Sequence, residues 1–165
     1  EIFKNYSSRV ASLTLCDTHK GFKHFTAEQQ DEFIKLRKDP LVSGKEPKDI
    51  APIVAKTLIG NIENKHVYEQ LVDSMNRLHK FSYIKSIEAS VKSDHTDILN
   101  KIDVPTLVVV GELDTLTPPS LAKEIASEID NAKLEIIKGA GHLSNIEQPD
   151  IFNKKVINFL ANSSV

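Results

Sequence analysis

The sequence predicts an α/β fold: three parallel strands with flanking helices and a long helical block inserted after the first strand. Three observations carry that prediction. Thr106-Leu107-Val108-Val109-Val110 is an unbroken apolar run, as expected of a strand covered on both faces. Residues 133–138 form a second β-favouring run, and Leu121, Ile125 and Ile129 between the two have helical spacing. Residues 11–17 form a shorter β-favouring run that ends on the acidic Asp17, far upstream of the other two.

Taken in order, residues 1–8 read as the end of a helix and residues 11–17 as the first strand. From about His19 to Lys101 the pattern is helical. Thr26-Ala27-Glu28-Gln29 spells a capping box ahead of Phe33, Ile34 and Leu36. Asp49 is expected to cap a helix carrying Ile50, Val54 and Leu58, with Pro52 in its first turn and Gly60 at its close. Val67, Leu71, Met75 and Leu78 recur on one helical face, and Ile84, Ile87 and Val91 on another. After the strands, Phe152, Val156, Phe159 and Leu160 mark a closing helix. The alternation of strand and helix makes a parallel sheet with right-handed crossovers. A block as long as 19–101 exceeds an ordinary crossover. It reads as a helical cap over the C-terminal edge of a sheet built from residues 1–18 and 102–165.

Composition narrows the function classes. The 165 residues are one domain's worth of chain, and 21 Lys+Arg against 23 Asp+Glu leave a net charge of −2. That balance gives no electrostatic reason to expect nucleic acid or an anionic membrane as a partner. The single Cys16 has no internal disulfide partner and lies in an apolar run, where a buried, inert thiol is expected. No apolar run approaches the roughly 18 residues of a membrane span. The first residues lack the basic start and apolar stretch of a signal peptide. A soluble, cytoplasmic protein is the expectation.

Two loops concentrate the chemistry. Gly111-Glu112-Leu113-Asp114-Thr115-Leu116-Thr117-Pro118-Pro119 follows one strand and Gly139-Ala140-Gly141-His142-Leu143-Ser144-Asn145-Ile146-Glu147-Gln148-Pro149 the next. In a parallel sheet both lie at the edge where open α/β folds place their sites. A carboxylate that fixes one ring nitrogen of a histidine leaves the other free to take a hydroxyl's proton. Asp114 and His142 are therefore the candidate acid and base. Either residue alone is better read as a turn or loop residue; the pair, in this order and on these two strand ends, carries the functional reading. His19, His24, His66, His79 and His95 lack metal-ligand spacing and are expected to be structural. Met75, Phe81 and Tyr83 are expected to pack, with a substrate pocket as the other reading. Glu147 is expected to begin the last helix or to tie down the histidine loop.

Residues 102–160, and these two loops in particular, resemble the C-terminal portion of an α/β-hydrolase. Within that superfamily His-Leu-Ser-Asn-Ile-Glu most resembles the 3-oxoadipate enol-lactonase branch and its esterase relatives. Leu13-Thr14-Leu15-Cys16-Asp17-Thr18 resembles the strand leading into the cap. The resemblance implies Asp114 as triad acid, His142 as triad base, no metal or organic cofactor, and a small acyl or lactone substrate. It also implies a serine in a G-x-S-x-G elbow with an oxyanion hole beside it. No such spelling occurs here; neither Ser7-Ser8 nor Ser43-Gly44 has the glycine framing. The expectation is thus the C-terminal part of a larger hydrolase. Alone it is expected to be inactive, with an open sheet edge prone to pairing with the N-terminal part or a second copy. Haloalkane dehalogenase, C–C hydrolase and peroxidase chemistries, and a non-catalytic binding module, remain as alternatives.

Overall fold

The structure is a computed structural model that describes residues 1–163. Strands β1 (Leu13–Cys16), β2 (Thr106–Gly111) and β3 (Lys133–Ile137) form one parallel sheet in the order β1-β2-β3. Leu13 is in register with Thr106, and Leu107 with Lys133. Every residue of β2 is buried, as its continuous apolar run requires. Alternation along β2 then divides the core. Val108 and Val110 face Phe3 of α1 (Ile2–Tyr6), with Ala122 and Ile125 of the helix at Pro119–Glu128. Leu107 and Val109 face Phe159 of the helix at Pro149–Asn162. The predicted α/β class is therefore the observed one, with helices on both faces of the sheet.

Between β1 and β2 the chain forms α2 (Ala27–Arg37), α3 (Asp39–Val42), α4 (Pro47–Leu58), α5 (Lys65–Asn76) and α6 (Lys80–Lys92). This block has its own apolar centre, where Leu41, Ile50, Ala51, Val54 and Met75 meet. The capping box is present at α2: Thr26 accepts the Gln29 amide, and the Gln29 side chain accepts the Thr26 amide. Helices α7 (Pro119–Glu128), α8 (Ser144–Glu147) and α9 (Pro149–Asn162) follow the second and third strands.

Several local expectations need correction. Helix α4 starts at Pro47, a residue pre-set for a first helical position, so Asp49 is not the cap. Its carboxylate instead accepts the Glu46 amide at 2.7 Å, and Pro52 falls inside the helix rather than in its first turn. Leu78 lies beyond the end of α5 and is exposed, because the chain turns at Arg77. Phe81 does not join the helical core; it is 70% exposed at the start of α6, its ring 6.0 Å from that of His79. The first strand is shorter than residues 11–17, since Asp17 adopts a left-handed backbone (φ 43°) that ends the ladder. Cys16 is half-buried rather than buried. Among the described residues, no helix is long and apolar enough to cross a membrane.

Candidate active site

Asp114 sits in the turn after β2, buried to 3% exposure. A carboxylate there needs donors, and its own loop supplies most of them. Oδ1 accepts the backbone amides of Leu116 and Thr117, each at 2.9 Å. Oδ2 accepts the Thr117 hydroxyl at 2.7 Å. Burial pushes the carboxyl pKa up, but bonds from His142 and Thr117 outweigh it and hold Asp114 below the ordinary aspartate value.

His142 reaches the same oxygen from the loop after β3. Its Nδ1 lies 3.0 Å from Asp114 Oδ2 and 3.1 Å from Thr117 Oγ1. The ionised carboxylate can only accept, and the Thr117 proton is directed at Asp114. Nδ1 must therefore carry the hydrogen, an assignment made from the bonding pattern, which leaves the lone pair on Nε2. The side chain keeps 21% of its surface exposed and lines a cavity of about 190 Å³ with His19, Phe22, Phe25, Phe33 and Leu116. Acid and base thus meet at the C-terminal edge of the sheet, as the order of the two loops requires.

The histidine loop is held from further away. Asp17, at the end of β1, accepts the Gly111 amide through Oδ1 at 2.9 Å. Its Oδ2 accepts the Ser144 amide at 3.0 Å and the Ser144 hydroxyl at 2.6 Å. Glu147 accepts the Gly141 amide at 2.8 Å and, across the molecule, the Gly60 amide at 2.9 Å. The amide of His142 itself donates to the carbonyl of Leu58, the last residue of α4, at 2.8 Å. Gly60, Gly111 and Gly141 allow this crowding. A Cβ on Gly111 would collide with the Gly141 carbonyl, and one on Gly141 with the Gly60 amide.

Of the two roles expected for Glu147, the structure shows the second: it ties down the histidine loop and closes α8 instead of starting α9. No sequence pattern assigns a site role to Thr117, Asp17, Ser144 or Gly60. Asp17 had a signal, because it follows a strand at the same sheet edge as Asp114. Gly60 had none, since its partner is 87 residues away. Ser144 is no free nucleophile: it is fully buried, with its hydroxyl given to Asp17. The Cys16 thiol donates to Asp17 and is pushed up to about 12 by burial and that carboxylate, so it stays protonated.

The remaining candidates lie elsewhere. His79 caps α6 through the Ser82 amide, and Met75 packs in the helical core. Tyr83 packs partly buried against that core. His19 departs from the purely structural expectation, since it lines the His142 cavity while its Nδ1 accepts the Gly21 amide at 3.0 Å. The His24 side chain lies outside what the structure describes. Among the described residues, no group of three or more His, Cys, Asp or Glu is placed to hold a metal ion.

Several known proteins similar to this chain are named as hydrolases, esterases or lactonases. Residues 82–165 match the α/β-hydrolase family model described as TAP-like protein. A 2-hydroxy-6-oxononadienedioate/2-hydroxy-6-oxononatrienedioate hydrolase of Klebsiella pneumoniae is 33% identical over 95% of this chain and 56% of its own length. Among solved structures, a thermophilic esterase from Thermogutta terrifontis superposes with a TM-score of 0.85 at 23% identity, over 99% of this chain and 60% of that one. The enol-lactonase from Burkholderia xenovorans LB400 does so with a TM-score of 0.78 at 23% identity, over 97% of this chain and 60% of that one. The chain spans a little over half the length of the curated relatives it matches. It belongs to the α/β-hydrolase family, as the C-terminal part of such a protein.

Proposed function

We propose that this chain supplies the acid and base of a Ser-His-Asp triad in a hydrolase of small esters, lactones or related acyl compounds. The observation that carries the proposal is the Asp114–His142 pair: a buried, fully bonded carboxylate on Nδ1, with Nε2 left as the base. In the whole protein a serine from a segment preceding Glu1 attacks the acyl carbon, and Nε2 takes its proton. Asp114 stabilises the imidazolium that results, and His142 then returns the proton to the leaving oxygen. The oxyanion donors come with the nucleophile turn. Residues 19–101 act as a cap over this edge. No metal or organic cofactor enters the scheme, and the substrate is the partner that matters.

A second reading has one observation behind it. The Klebsiella relative is named for hydrolysis of a hydroxy-oxo-dioate, whose name contains no ester or lactone, so cleavage there falls on a carbon–carbon bond. The same acid–base pair serves either chemistry. The full-length protein separates them when offered phenyl acetate, dihydrocoumarin and a vinylogous 1,5-diketone acid side by side. Turnover of the first two, abolished by His142→Ala, supports the acyl-hydrolase reading. Turnover of the diketone alone replaces it with the second, and turnover of none supports a non-catalytic binding module. The isolated 165-residue chain should hydrolyse none of them and should self-associate through its open β1 edge in size-exclusion chromatography.

A further inference from the structure

The helical block holds a buried cation without an anion to match it. Arg37, the last residue of α2, is 5% exposed, yet among the described residues no carboxylate forms an ion pair with it. Its partners are neutral. Nη2 donates to the Thr57 hydroxyl at 3.1 Å, the guanidinium stacks over the Phe33 ring 4.3 Å from its centroid, and the Tyr83 phenol lies alongside. A guanidinium has five N–H donors. Thr57 and the Tyr83 phenol occupy only part of that set, and the Arg37 side chain lines a cavity beside them.

That cavity measures about 230 Å³, and its wall includes Arg37, Thr57, Thr115 and Leu116. Phe22, Phe25, Phe33 and Leu116 line both this cavity and the one at His142, so the two adjoin along one aromatic wall. Thr115 and Leu116 are the residues directly after Asp114. Glu32 also borders the Arg37 cavity, but its side chain is exposed and makes no ion pair with the guanidinium. Burial lowers the Arg37 pKa from its ordinary value, partly offset by Tyr83, and an arginine nevertheless remains charged. A buried charge with no counter-charge weakens the fold. Its planar fork is suited to grip a carboxylate through two parallel bonds.

We propose that Arg37 anchors a carboxylate of the substrate. The compound cleaved at His142 is then an anionic acyl compound, with an unreactive carboxylate joined to its scissile carbonyl by an apolar spacer along Phe22, Phe25 and Phe33. Arg37 is a specificity-determining residue in this scheme, and the scheme rests on the hydrolase function proposed above.

The test uses the full-length protein with monomethyl adipate and its neutral counterpart methyl hexanoate, together with adipate as a binding probe. The expected ratio of kcat/KM, anionic over neutral ester, exceeds one by about tenfold or more, the size of one good charge-assisted contact. Arg37→Met should lower that ratio by 10- to 100-fold, and Arg37→Lys should restore part of it. Adipate should raise the Tm of the wild type and leave that of Arg37→Met unmoved. Equal turnover of the two wild-type esters with no adipate effect overturns the anchor and leaves the hydrolase reading standing. Adipate stabilisation that depends on Arg37, with no ester turnover, upholds the anchor and overturns the ester-hydrolase reading. Should Arg37→Met fail to fold, the wild-type ratio and the Arg37→Lys variant decide alone: a ratio of one, unchanged in the lysine variant, overturns the anchor.

Discussion

The loops that present Asp114 and His142 lie side by side but are held in different ways. The acid carboxylate is held mainly within its own loop: Asp114 bonds to Leu116 and Thr117, two and three residues away. The loop's backbone meets distant chain at Gly111, gripped by Asp17, and at Leu113, whose amide donates to Ala140. The base loop depends on distant chain. Asp17 grips it 127 residues off at Ser144, α4 accepts its amide through Leu58, and Glu147 joins it to Gly60. A self-closed turn keeps its shape wherever the strand ends. The position of the base, by contrast, is set jointly by the sheet and the helical block, so a change far from His142 can move it.

This difference can be broken experimentally from either side. The largest effect belongs to the acid itself. Asp114→Asn presents a polar NH2 where His142 and Thr117 need an acceptor, and should lower kcat of the full-length protein by about 10⁴-fold. Next come the glycines of the base loop. Gly141→Ala drives a Cβ into the Gly60 backbone and should destabilise by about 3 kcal/mol in urea unfolding. Glu147→Gln keeps one acceptor and turns an amide group towards the other donor. It should lose about 1–3 kcal/mol and lower kcat as well, because the base loop loosens from the helical block. Thr26→Ala removes the α2 cap and should lose about 1 kcal/mol while leaving the base loop in place.

A pH series sharpens the comparison further. The carboxyl of Asp114 titrates lower in the folded chain than its ordinary value of 3.8. Its stabilising contribution is therefore complete above that value and is lost as pH falls through the folded pKa. Acid unfolding of the wild type should include this loss, and that of Asp114→Asn should lack it.

How much was legible follows from the same contrast. The succession of strands and helices along the chain, the unbroken β2 run, the capping box at Thr26 and the placement of Asp114 and His142 past two strand ends all depend on short-range spacing, and they are visible in the sequence. The boundary errors at Asp49 and Leu78 arose where a proline or a turn redirected the chain within a few residues. Asp17, Gly60 and the Arg37 cavity depend on contacts between segments far apart, and no local pattern announces them. Glu147 lay between the two: its proximity to His142 suggested a tie, but not that the tie crosses to α4.

The most direct test of the acid–base account labels the full-length protein with a fluorophosphonate and maps the site by peptide mass spectrometry. A serine upstream of Glu1 should carry the label, and His142→Ala should abolish labelling because Nε2 no longer takes the hydroxyl proton. Label on a serine within residues 1–165, or labelling undiminished in His142→Ala, would contradict it.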